Sequence, residues 1–199
     1  SQRLRPLGLP LPRLLHAELE PRVGRFPFLL LERLPGADLG LVYSELSPTQ
    51  KRAVVAEVVR AQELVGSLPL GHGYGYADSS EAALPHRRWT GVLRASLARS
   101  RTRIRQAGVV DDAVVGRVEA ILPRFARYLD NVRPRAFLDD TTTKNVLVHD
   151  GCLSGIVDVD VVCFGDPVWT IGLTHTALLS AGHDADYVEM WCELAALTA

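Results

Sequence analysis

Two short apolar runs open the chain and predict strands near residues 11–17 and 27–34, the second closed by Pro35-Gly36. From Ser47 the period changes. Ser47-Pro48-Thr49-Gln50 has the form of a capping box with proline at the first helical position. Val54, Val58, Ala61 and Val65 then recur on one helical face until Gly66, a natural stop. A second helix is expected from about Arg88 to Gln106, ending at Gly108. A third starts at Asp111 or Asp112, and Pro123 must kink or divide it. Alternation returns around Asp150-Gly151, a dipeptide that supplies the left-handed backbone of a two-residue hairpin turn. Residues 168–180 and 185–197 again read as helices. The pattern therefore predicts an α+β chain in which helical residues outnumber strand residues.

The hairpin matters because of what stands at its open end. With the turn at Asp150-Gly151, His149 pairs with Cys152, Asn145 falls opposite Ile156, and Asp158 lies two residues beyond. Asp140 enters the same end through a short polar loop. Hard oxygen donors gathered on one rim suit magnesium, which takes a few protein oxygens and shares the rest of its shell with water and phosphate. Phosphoryl transfer of the kinase type uses such a set. Asp140 would orient the acceptor hydroxyl and take its proton, while Asn145 and Asp158 would hold the metal. The plainer alternative is a tight turn whose Asp and Asn side chains cap backbone groups.

On these residues the chain resembles the aminoglycoside phosphotransferase and choline kinase-like family of small-molecule kinases. Leu138-Asp139-Asp140 stands where the family has His-Gly-Asp, and Asn145-Val146-Leu147-Val148 matches the strand that follows. Val157-Asp158-Val159-Asp160 and Gly165-Asp166-Pro167 match two later motifs, and Phe28 to Gly36 looks like the hinge strand. The resemblance runs from about Pro10 to Leu179. It implies a protein kinase-like large lobe, mainly helical with a catalytic β-hairpin, using ATP and Mg2+ to phosphorylate a hydroxyl of a small molecule. It also implies that backbone groups around Glu32, Arg33 and Leu34 meet adenine. Two departures stand out. Leu138 and Asp139 replace the His and Gly of the triplet, and Thr170 stands near where many relatives carry a further Asp, so the loop must be braced differently. The family's phosphate-binding strand Lys has no counterpart, because Lys51 and Lys144 are the only lysines and both follow the hinge. Lys144 is the candidate substitute as a phosphate contact. Residues 1–36 are expected to be the remnant of a small lobe with its hinge, and 37–199 the large lobe, in an N-terminally incomplete kinase with little activity of its own. A non-catalytic pseudokinase or lobe fragment acting as a protein-interaction module is the alternative, and a metal-dependent hydrolase a third.

Composition narrows the setting more than the chemistry. At 199 residues and 47% hydrophobic content, a sizeable core is expected. Residues 1–135 carry 21 Lys/Arg against 13 Asp/Glu, a balance of +8, and residues 136–199 carry 1 against 10, a balance of −9. An acidic catalytic half would draw divalent cations or a cationic acceptor, although two halves facing each other would explain the asymmetry equally well. Cys152, Cys163 and Cys192 have neither the number nor the spacing of a disulfide framework or zinc site, which fits a reducing cytoplasm. No segment approaches a membrane span. Arg99, Arg101, Arg103 and Arg105 splay over a helix without interleaved aromatics, which disfavours nucleic acid. Gly71-His72-Gly73-Tyr74-Gly75 reads as a structural turn, since no strand leads into it and no helix follows at once. Asp184, Asp186, Glu189 and Glu193 could meet a cationic acceptor or form an exposed helix face. The hinge face is expected to be exposed and to allow self-association.

Overall fold

A computed structural model describes residues 4–20, 26–79, 81–159 and 161–197. In chain order it holds β1 (Leu14–Glu18), β2 (Phe28–Leu31), β3 (Ala37–Asp38), α1 (Leu39–Val42), α2 (Pro48–Gly66), β4 (Gly75–Ala77), α3 (Trp89–Ala107), α4 (Ala113–Ile121), α5 (Ala126–Leu129), β5 (Arg135–Phe137), β6 (Val146–His149), β7 (Cys152–Ile156), β8 (Val162–Gly165), α6 (Val168–Ser180) and α7 (Asp186–Leu194). Helical residues make up 47% and strand residues 17%, the expected excess of helix. Two compact units share the chain. One takes residues 1–67, 138–161 and 167–199, the other 68–137 and 162–166.

The first unit contains every candidate catalytic and metal residue. Its core gathers around α2, which starts as its sequence dictates. Gln50 N–H donates to Ser47 Oγ at 3.3 Å, and Ser47 N–H returns the bond to Gln50 Oε1 at 2.9 Å. Val54, Val58, Ala61 and Val65, the stripe read from the helical period, are fully buried. Val54 and Val58 pack in one cluster with Leu39, Val146 and Val148, together with Leu178 and Trp191 from α6 and α7. Burial of one such side chain is worth about 1.5–3 kcal/mol. A polar clasp adds to it. Lys51 Nζ on α2 lies 3.0 Å from Asp186 Oδ2 and 3.8 Å from Asp184 Oδ1, and sits 3.9 Å above the Tyr43 ring. The Tyr43 hydroxyl donates to both carboxylates. Burial first, and then those two acids, push the Tyr43 phenol far up. Lys51 thus pairs mainly with Asp186 while Asp184 stays largely exposed, and Glu193 pairs with Arg52 at 3.0 Å.

Two sheets belong to this unit. β1 and β2 form an antiparallel ribbon with Glu18 opposite Phe28 and Leu14 opposite Leu31, and all four residues of β2 are exposed. β3, β6 and β7 form an antiparallel sheet in that order. The β6–β7 turn is the expected one. Asp150 and Gly151 both have positive φ, at 50° and 75°, and a Cβ on Gly151 would fall 2.0 Å from Gln50 Nε2. His149 pairs with Cys152 as counted, and His149 is exposed. The register beyond is not as counted. Val148 faces Leu153 but Leu147 faces Gly155, so Ser154 is an extra residue and Val146, not Asn145, lies opposite Ile156. Tertiary packing accounts for the bulge. A Cβ on Gly155 would meet Leu34 Cδ1 at 2.3 Å and the Pro10 carbonyl at 2.8 Å, so the strand is drawn against that segment at this point.

The second unit pairs β4, β8 and β5 into an antiparallel sheet, with Trp89 edge-on to Phe137 at 6.3 Å. The glycine-rich stretch at 71–75 is a turn into β4, with Gly71 N–H donating to the Pro134 carbonyl at 3.0 Å. α3 ends at Gly108 in left-handed conformation, φ 64°. α4 stops at Ile121, and a 3-10 turn carries Pro123. Arg101 binds Glu119 through two bonds of 3.0 and 2.8 Å, and Arg105 binds Asp112 at 2.7 Å, so these arginines have acidic partners within the unit.

Candidate active site

The loop between residue 137 and β6 carries Asp140 and Asn145, and side-chain hydrogen bonds hold it at nearly every step. Asn145 Nδ2 donates to the Asp140 carbonyl at 3.1 Å, while Asn145 N–H donates to the Thr142 carbonyl at 3.0 Å. The Asn145 side chain is therefore anchored through its nitrogen and keeps its oxygen for another partner. Thr142 fixes the Asp140 carboxylate. Its hydroxyl donates to Oδ1 at 2.6 Å and its N–H to the same oxygen at 3.3 Å. Among the described residues nothing pairs with Asp140 Oδ2, and the side chain is exposed.

Asp158 is joined to this loop through its neighbour. Val157 N–H donates to the Asn145 carbonyl at 2.9 Å, and the bulge leaves Asp158 one residue beyond that contact. The two metal candidates are thus one residue closer in register than the sequence count allowed. Asp158 has φ 58°, a left-handed conformation that Asp adopts more readily than most residues but still at some cost, about 1 kcal/mol or more. Its carboxylate is exposed and has no hydrogen bond or ion pair among the described residues. Asp160, the second acid of the motif, lies outside the described residues.

Two clefts flank these groups. One of about 310 Å³ is lined by Leu11, Pro12, Leu14, Leu29, Leu31, Ile156 and Asp158, a mainly apolar wall with one carboxylate. The other, of about 590 Å³, has an apolar wall as well, from Leu41, Ala177 and Ala181, but carries more charged and hydroxyl side chains: Asp38, Asp140, Thr142, Thr143, Lys144 and Ser180. Lys144 is exposed on this second cleft, beside Asp140, and neither it nor Asp38 has an ion-pair partner among the described residues. Glu32, Arg33 and Leu34 line neither cleft. Glu32 is committed to Arg13. Its N–H donates to the Arg13 carbonyl at 2.8 Å, and its carboxylate accepts the Arg13 N–H at 3.0 Å and Nε at 3.1 Å, which holds the carboxyl below its ordinary range.

The bracing of the loop was not readable from the sequence. Gln62 on α2 grips Leu138 from both sides, accepting its N–H at 3.0 Å and donating to its carbonyl at 2.8 Å. The same Nε2 reaches Thr141 Oγ1 at 3.2 Å. Thr141 Oγ1 lies 2.9 Å from Thr170 Oγ1 on α6, and Thr174 donates to the Thr170 carbonyl at 2.9 Å. All three threonines are buried. Asp166 accepts the Tyr128 hydroxyl at 2.9 Å, and burial together with that acid raises the Tyr128 phenol to about 12.

The donor set fits magnesium. Among the described residues the Asp158 carboxylate and the Asn145 amide oxygen have no hydrogen-bond partner; both are hard oxygens, few in number, and Asp158 lines a cleft large enough for phosphate. Among the described residues no cluster of three or more His, Cys, Asp or Glu exists, which is unlike a zinc or all-protein calcium site. No helix among them is long and apolar enough to cross a membrane.

Comparison with known proteins yields a consistent picture. A family model described as phosphotransferase enzyme family matches residues 1–197. None of the curated proteins matches the chain. Among solved structures, a thermostable mutant of aminoglycoside phosphotransferase APH(4)-Ia in ternary complex with ADP and hygromycin B is 18% identical with a TM-score of 0.60, covering 92% of this chain and 59% of its own. The gentamicin complex of APH(2")-IIa is 15% identical with a TM-score of 0.65, covering 100% and 64%. ADP-bound APH(2'')-Ib is 15% identical with a TM-score of 0.61, again covering 100% and 64%. The chain thus spans about three-fifths of the length of these structures, and at such identities the likeness is one of fold.

Proposed function

Because the chain belongs to the phosphotransferase enzyme family, we propose that it is the catalytic part of a small-molecule kinase that moves the γ-phosphoryl group of ATP to a hydroxyl. The observation that carries this reading is the Asn145 side chain. It is tied by its nitrogen to the Asp140 carbonyl, its oxygen remains uncommitted, and it stands one backbone contact from the unpaired Asp158. In this reading the cleft beside Asp158 takes the nucleotide and the cleft containing Asp140 and Lys144 takes the acceptor.

Asp140 accepts the hydroxyl proton on Oδ2, since Thr142 occupies Oδ1 and fixes the carboxylate plane. The hydroxyl oxygen bonds to the γ-phosphorus as the bond to the β-phosphate bridging oxygen breaks. Asn145 and Asp158 are the residues that would hold Mg2+, which would supply positive charge against the phosphate oxygens. Lys144 contacts the transferred phosphoryl group from the acceptor side. Asp38, on the same wall, meets any cationic group of the acceptor. Leu31, which lines the nucleotide cleft, leads directly into Glu32, Arg33 and Leu34, whose backbone groups would meet adenine at its edge, except the Glu32 N–H, which is spent on Arg13. β1 and β2 stand on the nucleotide side, where Leu14, Leu29 and Leu31 line the cleft beside Asp158. The free state of all three cysteines suits a cytoplasmic setting. The exposed leucines of β2 favour one second reading, a non-catalytic module that binds a partner through that face.

Titration calorimetry with a non-hydrolysable ATP analogue, with and without Mg2+, tests the site. Asp158→Ala should remove the magnesium dependence of nucleotide binding. An unchanged magnesium dependence in the variant would contradict the assignment.

A further inference from the structure

We infer that Gln62 is a positioning residue for the catalytic loop, bracing it from α2 at Leu138 and Thr141. The inference rests on the phosphotransferase reading of Asp140 and Asn145. Gln62 lies 76 positions before Leu138, yet it satisfies both backbone groups of that residue, at 3.0 and 2.8 Å, and reaches Thr141 Oγ1 at 3.2 Å. Leu138 and Thr141 are 2% and 1% exposed, so water has little access to replace those bonds.

The consequence runs through the loop in covalent steps. Leu138 and Thr141 bracket Asp139 and Asp140, and the Asp140 carbonyl is the acceptor that orients the Asn145 amide. Thr141 is held on its other side by Thr170, so the loop is clamped between α2 and α6. All of these clamping groups are neutral amides and hydroxyls. Gln62 itself lines neither cleft and touches neither candidate metal residue, so its effect is transmitted entirely by backbone position.

Two variants separate positioning from general stability. Gln62→Met keeps the length and removes every hydrogen bond. Gln62→Glu keeps an acceptor for the Leu138 N–H and remains a test if the first variant folds poorly. Mn2+ binding to the 199-residue chain is followed by electron paramagnetic resonance, with Asp158→Ala as control, and amide hydrogen exchange is followed over 138–145. The expected result is that Gln62→Met weakens Mn2+ binding by about tenfold or more, the scale seen when groups that orient metal ligands are lost. Exchange should rise over 138–145 while the buried face of α2 stays protected, and Gln62→Glu should fall between the variant and the native chain. Native Mn2+ affinity and native loop protection in both variants would overturn the inference and leave the metal assignment standing. If the native chain shows no Mn2+ binding sensitive to Asp158→Ala, the site reading fails and the inference falls with it.

Discussion

The loop at 138–145 and the β1–β2 ribbon belong to the same compact unit and are built in opposite ways. The loop is short, irregular and polar, yet Gln62, Thr142, Asn145 and Thr170 hold it by side-chain bonds, and Thr141, Thr143 and Asn145 are buried. The ribbon is hydrogen-bonded strand, bulged once at Leu15 and largely apolar, yet Leu15, Phe28, Leu29, Leu30 and Leu31 are exposed. Among the described residues its two strands pair with each other and with no third strand. Strand pairing is therefore no measure of how firmly a segment is held. The groups proposed to do chemistry sit on the braced segment, where positions must be reproduced closely. The segment proposed to stand on the nucleotide side is the one whose apolar surface still lacks a cover.

If that contrast is right, the largest effect should come from the braced side. In a form of the protein that turns over, Asp140→Asn should lower kcat by about a hundredfold or more while leaving nucleotide affinity in place, the usual scale for losing a positioned base. A coupled ADP-release assay over amine-bearing and sugar acceptors reads both, and near-normal turnover would pass the role to Asp139.

A smaller effect is expected from the clasp that joins α2 to the start of α7. Lys51→Met should cost about 2 kcal/mol at neutral pH, less than for a wholly buried pair because Asp186 is about one-third exposed. Burial works against ionisation of Asp186, but its hydrogen bonds with Asp184, Tyr43 and Lys51 outweigh it and hold the carboxyl at about 2. A depressed carboxylate stabilises the fold above its unfolded value near 3.8, and that contribution fades as pH falls toward 2. The gap between native chain and variant in urea unfolding should therefore narrow from pH 4 to pH 2.

The smallest effect on stability belongs to the ribbon. Leu30→Lys, on an exposed strand, should change unfolding free energy by no more than about 0.5 kcal/mol. It should nonetheless reduce concentration-dependent association in sedimentation velocity, since charge on an open strand edge opposes pairing with a second copy. A marked loss of stability would mean the ribbon is held far more firmly than its exposure indicates.

What could be read from the chain beforehand divides along the same line. Features set by neighbours in sequence were legible: the capping box at Ser47, the end of α3 at Gly108, the interruption at Pro123 and the turn at Asp150-Gly151. That Asp140, Asn145 and Asp158 stand in one unit about the β6–β7 hairpin was also legible, because hairpin geometry relates positions a few residues apart. Features set by distant residues were not. The bulge at Ser154 depends on Gly155 meeting Leu34 and Pro10, and it moved Asn145 out of its expected pairing with Ile156. Gln62 could be found only once α2 and the loop were placed side by side. A polar residue on the edge of an otherwise apolar helical stripe was the sole hint, and many surface glutamines share it. Asp184 and Asp186 read as an exposed acidic face until Lys51, 133 and 135 positions earlier, turned out to lie against them.

In the proposed site, metal and phosphate meet at Asn145 and Asp158, beside Asp140. Paramagnetic broadening of backbone amide signals by Mn2+ in the presence of a nucleotide tests it directly, because it reports where the ion sits even when binding is weak. The account predicts that broadening centres on 140–145 and 157–159 and is lost in Asp158→Ala. Broadening centred instead on the acidic segment from Asp184 to Glu193, and unaffected by that substitution, would contradict it.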